Sequence, residues 1–124
     1  MEKKDLKPAG VFKYFEEICQ VPRPSKKEEK MIAYLKAFGA KHNLETKVDE
    51  AGNVLIKKPA TPGKENLQTV VLQSHIDMVC EKNNDVQHDF LTDPIETEID
   101  GEWLKAKGTT SVSYTHLTLP TIRL

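Results

Sequence analysis

Long apolar runs are missing from this sequence. The longest, Met31 to Leu35, falls far short of the ~20 residues that a membrane-spanning helix needs. Cysteine is scarce: Cys19 and Cys80 are two in 124 residues, too few for a disulfide framework. The opening Met-Glu-Lys-Lys-Asp-Leu-Lys has neither an apolar core nor a small-residue cleavage site, so no signal peptide is expected. A soluble protein in the reducing cytoplasm is expected, with no membrane partner. No excess of charge is present either: 18 basic residues face 19 acidic ones. A general nucleic-acid surface, which is usually basic, is thereby disfavoured. Absent too are a Gly-rich phosphate loop, a Cys-x-x-Cys pair and a Gly-x-Ser-x-Gly elbow. Nucleotide-binding and serine-hydrolase readings lose their footing.

What is present suits one ordinary domain. Hydrophobic residues make up 38% and charged residues 30%, enough for a modest core. Val11, Phe12, Phe15, Ile18 and Cys19 recur at helical spacing behind Pro8, predicting a short amphipathic helix. Val21-Pro22-Arg23-Pro24 forbids helix and forces an extended link. Ser25 and Glu28 read as a capping box for a second helix whose apolar stripe is Met31, Ile32, Leu35 and Phe38. That helix is expected to stop near Asn43, a residue suited to left-handed backbone.

Beyond it the period changes. Residues 44–48 and 54–57 read as strands around a 49–53 turn, and Pro59 to Lys64 as a loop. Thr69-Val70-Val71-Leu72 opens the strongest strand signal, unbroken in its apolar character, as a strand covered on both faces would be. Thr97 to Lys105 alternates around Asp100-Gly101, a hairpin signal. The expected class is α/β: two helices, then a mixed sheet with a buried strand near 69–79. Between Glu81 and Glu102 lie eight acids (Glu81, Asp85, Asp89, Asp93, Glu96, Glu98, Asp100, Glu102) against Lys82 alone. A solvated loop and hairpin face is the plain reading, and a cation-attracting rim the sharper one.

The chemistry-bearing candidate is His75-Ile76-Asp77, at the end of the expected buried strand. Alternation would turn His75 and Asp77 to the same side, beyond a strand's carboxyl end, where open α/β sheets bind ligands. A zinc-bound histidine usually gives its other N–H to a carboxylate, so His75 as ligand and Asp77 as its orienter fit that chemistry. The three-residue pattern is weak by itself. His42 sits at a helix end, where its charge would favour the carbonyl dipole. His88-Asp89 lies in a polar loop, where solvation is the plainer role. His116 belongs to an atypical tail, and Cys80 lacks an activating base.

The run Val70-Val71-Leu72-Gln73-Ser74-His75-Ile76-Asp77-Met78-Val79 closely resembles the first metal motif of the aminoacyl-histidine dipeptidases. These are also called cytosol nonspecific dipeptidases, within the co-catalytic zinc exopeptidases. Residues 18–25, residues 52–61, the Lys82-Asn83-Asn84-Asp85 loop, His88-Asp89-Phe90 and residues 100–110 resemble the same family. The resemblance implies a cytoplasmic metallopeptidase that hydrolyses dipeptides, including Xaa-His. Two divalent ions, usually zinc, would hold a bridging water and lower its pKa toward neutrality. His75 would be a metal ligand and Asp77 the carboxylate that steadies it. A dipeptide would be the partner, and any homodimer would belong to the intact enzyme.

One departure qualifies this. The family follows Gly-Thr-Thr with Leu-Gly-Ala-Asp-Asn-Gly, whose Asp bridges the metals. Here Thr110 leads into Ser111-Val112-Ser113-Tyr114, and no acid follows Glu102. The resemblance therefore lacks its bridging Asp, its Glu-Glu pair, its later ligands and its lid domain. Residues 112–122 resemble translated sequencing adapter, and of the 18 basic residues the last fourteen positions hold only Arg123. Residues 1–110 are expected to be the N-terminal portion of a catalytic domain, cut near codon 110, and 111–124 a non-native tail. Such a chain is expected to be inactive and poorly soluble. Two alternatives stand beside this reading: an acyl-amino-acid hydrolase of the same clan, and a small non-enzymatic α/β binding domain.

Overall fold

A computed structural model describes residues 3–109 and 121–123. The chain divides into two compact units, one of residues 1–31 with 76–124 and one of residues 32–75.

In the first unit, a 3-10 turn at Lys3–Asp5 precedes helix α1, Ala9–Cys19. Extended Pro8 stands just outside α1 and its carbonyl accepts the Val11 and Phe12 N–H groups, so proline's missing donor costs nothing there. The inward side of α1 places Phe15 and Cys19 on a small core with Met78, Ile95, Phe90 and Ala106. Strands β3 (Thr97–Asp100) and β4 (Trp103–Ala106) pair antiparallel, Thr97 facing Ala106 and Ile99 facing Leu104. Leu104 is 3% exposed, and its neighbours alternate outward as a one-sided hairpin requires. Gly101 takes φ 59 as the first residue of the two-residue connection, the position where a type II′ turn demands glycine. Strand β5 (Thr121–Arg123) pairs antiparallel with β4. A half-buried knot ties α1 to β3: Lys3 donates to the Thr97 hydroxyl at 2.5 Å, which donates to Glu16 at 2.6 Å.

Helix α2, Glu29–Lys41, ends at Asn43, whose φ of 54 is the left-handed stop expected from its sequence. In the second unit its carboxyl half faces the hairpin of β1 (Glu45–Val48) and β2 (Val54–Lys57), paired from Glu45↔Lys57 to Val48↔Val54. Gly39 is the contact point. A Cβ there would lie 1.9 Å from Thr46 Oγ1 and 3.1 Å from Thr46 Cβ. The turn is closed by Asp49, whose carboxylate accepts both the backbone N–H and the side-chain amide of Asn53, at 2.8 and 2.7 Å. Those bonds hold the Asp49 carboxyl below its ordinary range.

The α/β composition, the two helices and both hairpins follow the sequence reading. The buried strand near 69–79 does not form. Residues 68–77 carry no strand, Val70 and Val71 are 79% exposed, and Leu72 is 93% exposed. A strand apolar on both faces is stable only between hydrogen-bonding neighbours and under cover on both sides. Among the described residues it has neither, and in place of a mixed sheet there are two separate antiparallel sheets. The Ser25–Glu28 capping box is also absent: Glu28 accepts the Lys26 N–H at 2.6 Å, and the Ser25 hydroxyl is engaged elsewhere. The proposed tail boundary at Thr110, with His116, lies outside the described residues.

Candidate functional site

The link of residues 21–24 fixes the surroundings of Asp77. Two prolines hold it extended, and it makes a parallel bridge between Pro24 and Met78. The Met78 N–H donates to Arg23 O at 2.9 Å, and the Ser25 N–H donates to Met78 O at 3.2 Å. Arg23 is 8% exposed and locks the link from behind, its Nη1 donating to Ile18 O at 2.8 Å. Burial pulls the Arg23 pKa down, while Cys19 and Asp77 pull the other way. On this platform the Ser25 hydroxyl donates to Asp77 Oδ2 at 2.5 Å, within the range of a charge-assisted bond to a carboxylate.

Asp77 is half-buried in the first unit, whereas His75 is exposed and falls in the second. Because residues 68–77 form no strand, alternation does not put the two side chains on one side. Ser25, read from sequence as a helix cap, is the partner that sequence missed.

The remaining candidates sort clearly. His42 stacks on Phe38 with ring centroids 4.4 Å apart, a structural role at the end of α2. Cys80 is exposed, and burial of its sulfur followed by the nearby Glu81 charge raises its pKa, so no activated thiolate is built there. Cys19 is a core residue pushed up to about 11, chiefly by burial. His88 departs from expectation: its Nε2 is shielded from solvent without a hydrogen-bond partner, as is Thr109 Oγ1.

The donor set decides what the site can hold. A zinc centre takes about three protein ligands plus water. Among the described residues no group of three or more His, Cys, Asp or Glu is placed to hold a metal. His75 and Asp77, expected as a ligand and its orienter, are joined by no third such group there, so the described residues do not fit a zinc centre. Nor is any described helix long and apolar enough to cross a membrane.

No family model matches the chain. It is 48% identical over 109 residues to the cytosol non-specific dipeptidase of Escherichia coli (strain K12), covering 88% of this chain and 22% of that protein. Its structure superposes on the crystal structure of the aminoacylhistidine dipeptidase from Vibrio alginolyticus with a TM-score of 0.85 at 50% identity. That match covers 90% of this chain and 23% of the other. The chain thus spans less than a quarter of the length of the relatives it matches.

Proposed function

We propose a function from the family of which this chain carries a segment, the aminoacyl-histidine dipeptidases. A polypeptide of the relatives' length containing this segment hydrolyses dipeptides, Xaa-His among them, in the cytoplasm. The segment contributes His75 as a metal ligand and Asp77 as the carboxylate that orients it, and zinc is the metal. The 124-residue chain alone does not catalyse the reaction. The observation that carries this reading is the pairing of 48% identity with 22% coverage of the relative: the chain matches under a quarter of that protein closely. Both relatives are named as dipeptidases, which favours this reading over an acyl-amino-acid hydrolase.

In this segment the one arrangement bearing on the chemistry is the hold on Asp77. Ser25 donates to one carboxylate oxygen from a link that Arg23 and two prolines keep rigid. A carboxylate so held has a fixed direction in which to accept an imidazole N–H. No reaction step is assigned to the segment alone.

The test is turnover of Ala-His and Ala-Ala with added zinc. One sample is the purified 124-residue chain; the other is residues 1–110 continued, in place of residues 111–124, by the Escherichia coli relative's remaining sequence. The chain alone is expected to show none and the extended protein to show zinc-dependent turnover. Hydrolysis by the 124-residue chain would overturn its assignment as inactive. A folded extended protein that leaves both dipeptides intact would overturn the dipeptidase assignment.

A further inference from the structure

In the second unit, the run Gln68-Thr69-Val70-Val71-Leu72-Gln73-Ser74 forms no helix, turn or strand. A turn closed by the Leu67 N–H on Lys64 O at 3.1 Å ends it on one side. All of residues 68–74 are exposed, Val70 and Val71 at 79% and Leu72 at 93%. Among the described residues, no hydrogen bond joins the backbone of this run to another backbone group. A row of unpaired N–H and C=O groups is a template for a further strand.

The run holds no charge, no proline and no glycine, in a chain with 30% charged residues. Thr69, Val70 and Val71 are β-branched and suit a pleated strand. Exposed segments of this kind pair with their own copies. The polarity of the run is also palindromic about Val71. Antiparallel pairing of two copies there sets Val71 on Val71, Val70 on Leu72, Thr69 on Gln73 and Gln68 on Ser74. Apolar meets apolar and polar meets polar at every step of the ladder, where cross-strand pairs act. The two-fold axis of such a pair stands perpendicular to the sheet, so a symmetric register must be centred on a residue. Centring on Val70 sets Thr69 on Val71 and Gln68 on Leu72. Centring on Leu72 sets Val71 on Gln73 and Val70 on Ser74. Both neighbouring registers mix polar with apolar, and only the Val71 centre does not.

A parallel, in-register pair also matches like with like, but it is a translation that repeats without closing. It also stacks Asp77 on Asp77 just beyond the run, and like charges directly opposite are destabilising. We propose that residues 68–74 are a self-pairing surface whose partner is the same run of a second copy, antiparallel and two-fold about Val71. Main-chain hydrogen bonds hold the pair, and the palindrome sets its register. Neither copy brings a charge into the interface, so nothing repels the approach. Isologous use of one edge of each run closes the assembly at two copies.

The test uses the full 124-residue chain carrying Cys80→Ser, which removes the exposed thiol and leaves Cys19 buried. Sedimentation is expected to show the mass doubling as concentration rises, and no further growth. Val71→Lys sets like charges face to face and is expected to weaken the dimer about tenfold or more. Register is read by cross-linking of cysteine variants under mild oxidation. Across the two-fold, the Cα atoms of the two copies of position 71 lie ~4.5–5.5 Å apart, within disulfide range. The two copies of position 70, or of position 72, are offset by two residues along the strand, to roughly 8 Å and outside that range. Val71→Cys is therefore expected to cross-link fast, and Val70→Cys and Leu72→Cys slowly when each is alone. Mixed together, those two variants are expected to cross-link to each other. A monomer at every concentration, growth beyond two copies, a dimer untouched by Val71→Lys, or cross-linking of Val71→Cys no faster than its neighbours would overturn the proposal.

Discussion

Gly39 gives a prediction whose sign depends on its neighbour. In a helix interior, alanine is favoured over glycine by about 1 kcal/mol. At this position the added Cβ would sit 1.9 Å from Thr46 Oγ1 and 3.1 Å from Thr46 Cβ. Rotating Thr46 gives only costly relief: one rotamer swings the methyl into the space the hydroxyl leaves, and the other gives up the Thr46 hydroxyl's bond to Leu44 O. Overpacking of this kind typically costs 1–3 kcal/mol, so Gly39→Ala is expected to destabilise the chain by about 1 kcal/mol net. Thr46→Ala removes the 1.9 Å contact and leaves the 3.1 Å one, which small shifts of β1 absorb. In that background Gly39→Ala is expected to stabilise by roughly 0.5 kcal/mol, so that helix propensity prevails. Urea unfolding followed by circular dichroism at 222 nm, on all four members of the cycle, measures both values. The Thr46 hydroxyl also donates to Leu44 O at 3.2 Å, a loss shared by both Thr46→Ala members and cancelled by the cycle. The same sign in both backgrounds would refute the claim that α2 and the hairpin meet at this contact.

Two other outcomes can be measured on the same protein. Cys19 has a folded pKa of about 11 against an ordinary 9.0, a difference worth roughly 3 kcal/mol. The raised value favours the neutral thiol, so this stabilisation is complete below pH 9 and is lost as pH climbs toward 11. The alkaline fall in stability should therefore be shallower in Cys19→Ala, and equal slopes would contradict the burial. The exposed run of Val70, Val71 and Leu72 is expected to draw copies together and to bind ANS. Val71→Lys with Leu72→Lys should shift the sedimentation profile toward monomer, and an unchanged profile would show that association lies elsewhere.

Local rules made most of this fold legible. Helix α1 was readable because Phe15 and Cys19 recur at helical spacing and bury on one side. The end of α2 was readable because Asn43 tolerates φ 54, and the second hairpin because Gly101 takes the positive φ that its turn needs. Each depends on a few adjacent residues whose backbone preferences do not change with context. Ser25 was misread for the complementary reason. Its sequence spacing to Glu28 allowed a cap, but a bridge between Pro24 and Met78, distant in sequence, brings Asp77 within reach of its hydroxyl. The hydroxyl donates its proton to that carboxylate, a charge-assisted bond. His88 was misread likewise: its Nε2 is shielded, and its ring packs edge-on against Phe90 at 4.5 Å, although the loop around it is polar.

The strand that failed to form has a plain physical cause. Thr69 to Leu72 has the composition of a strand buried on both faces, but that composition specifies neighbours rather than supplying them. Without partners the run lies exposed, Leu72 at 93%. His75 and Asp77 follow it directly, so the geometry that would align them is set by the same absent pairing. By contrast, the Ser25–Asp77 bond and the backbone bonds of Arg23, Ser25 and Met78 beside it lie inside the first unit. The exposed run from Thr69 to Leu72 instead lacks strand neighbours among the described residues, so supplying them should order residues 69–75, read by amide hydrogen exchange, while leaving the Ser25–Asp77 bond as it is.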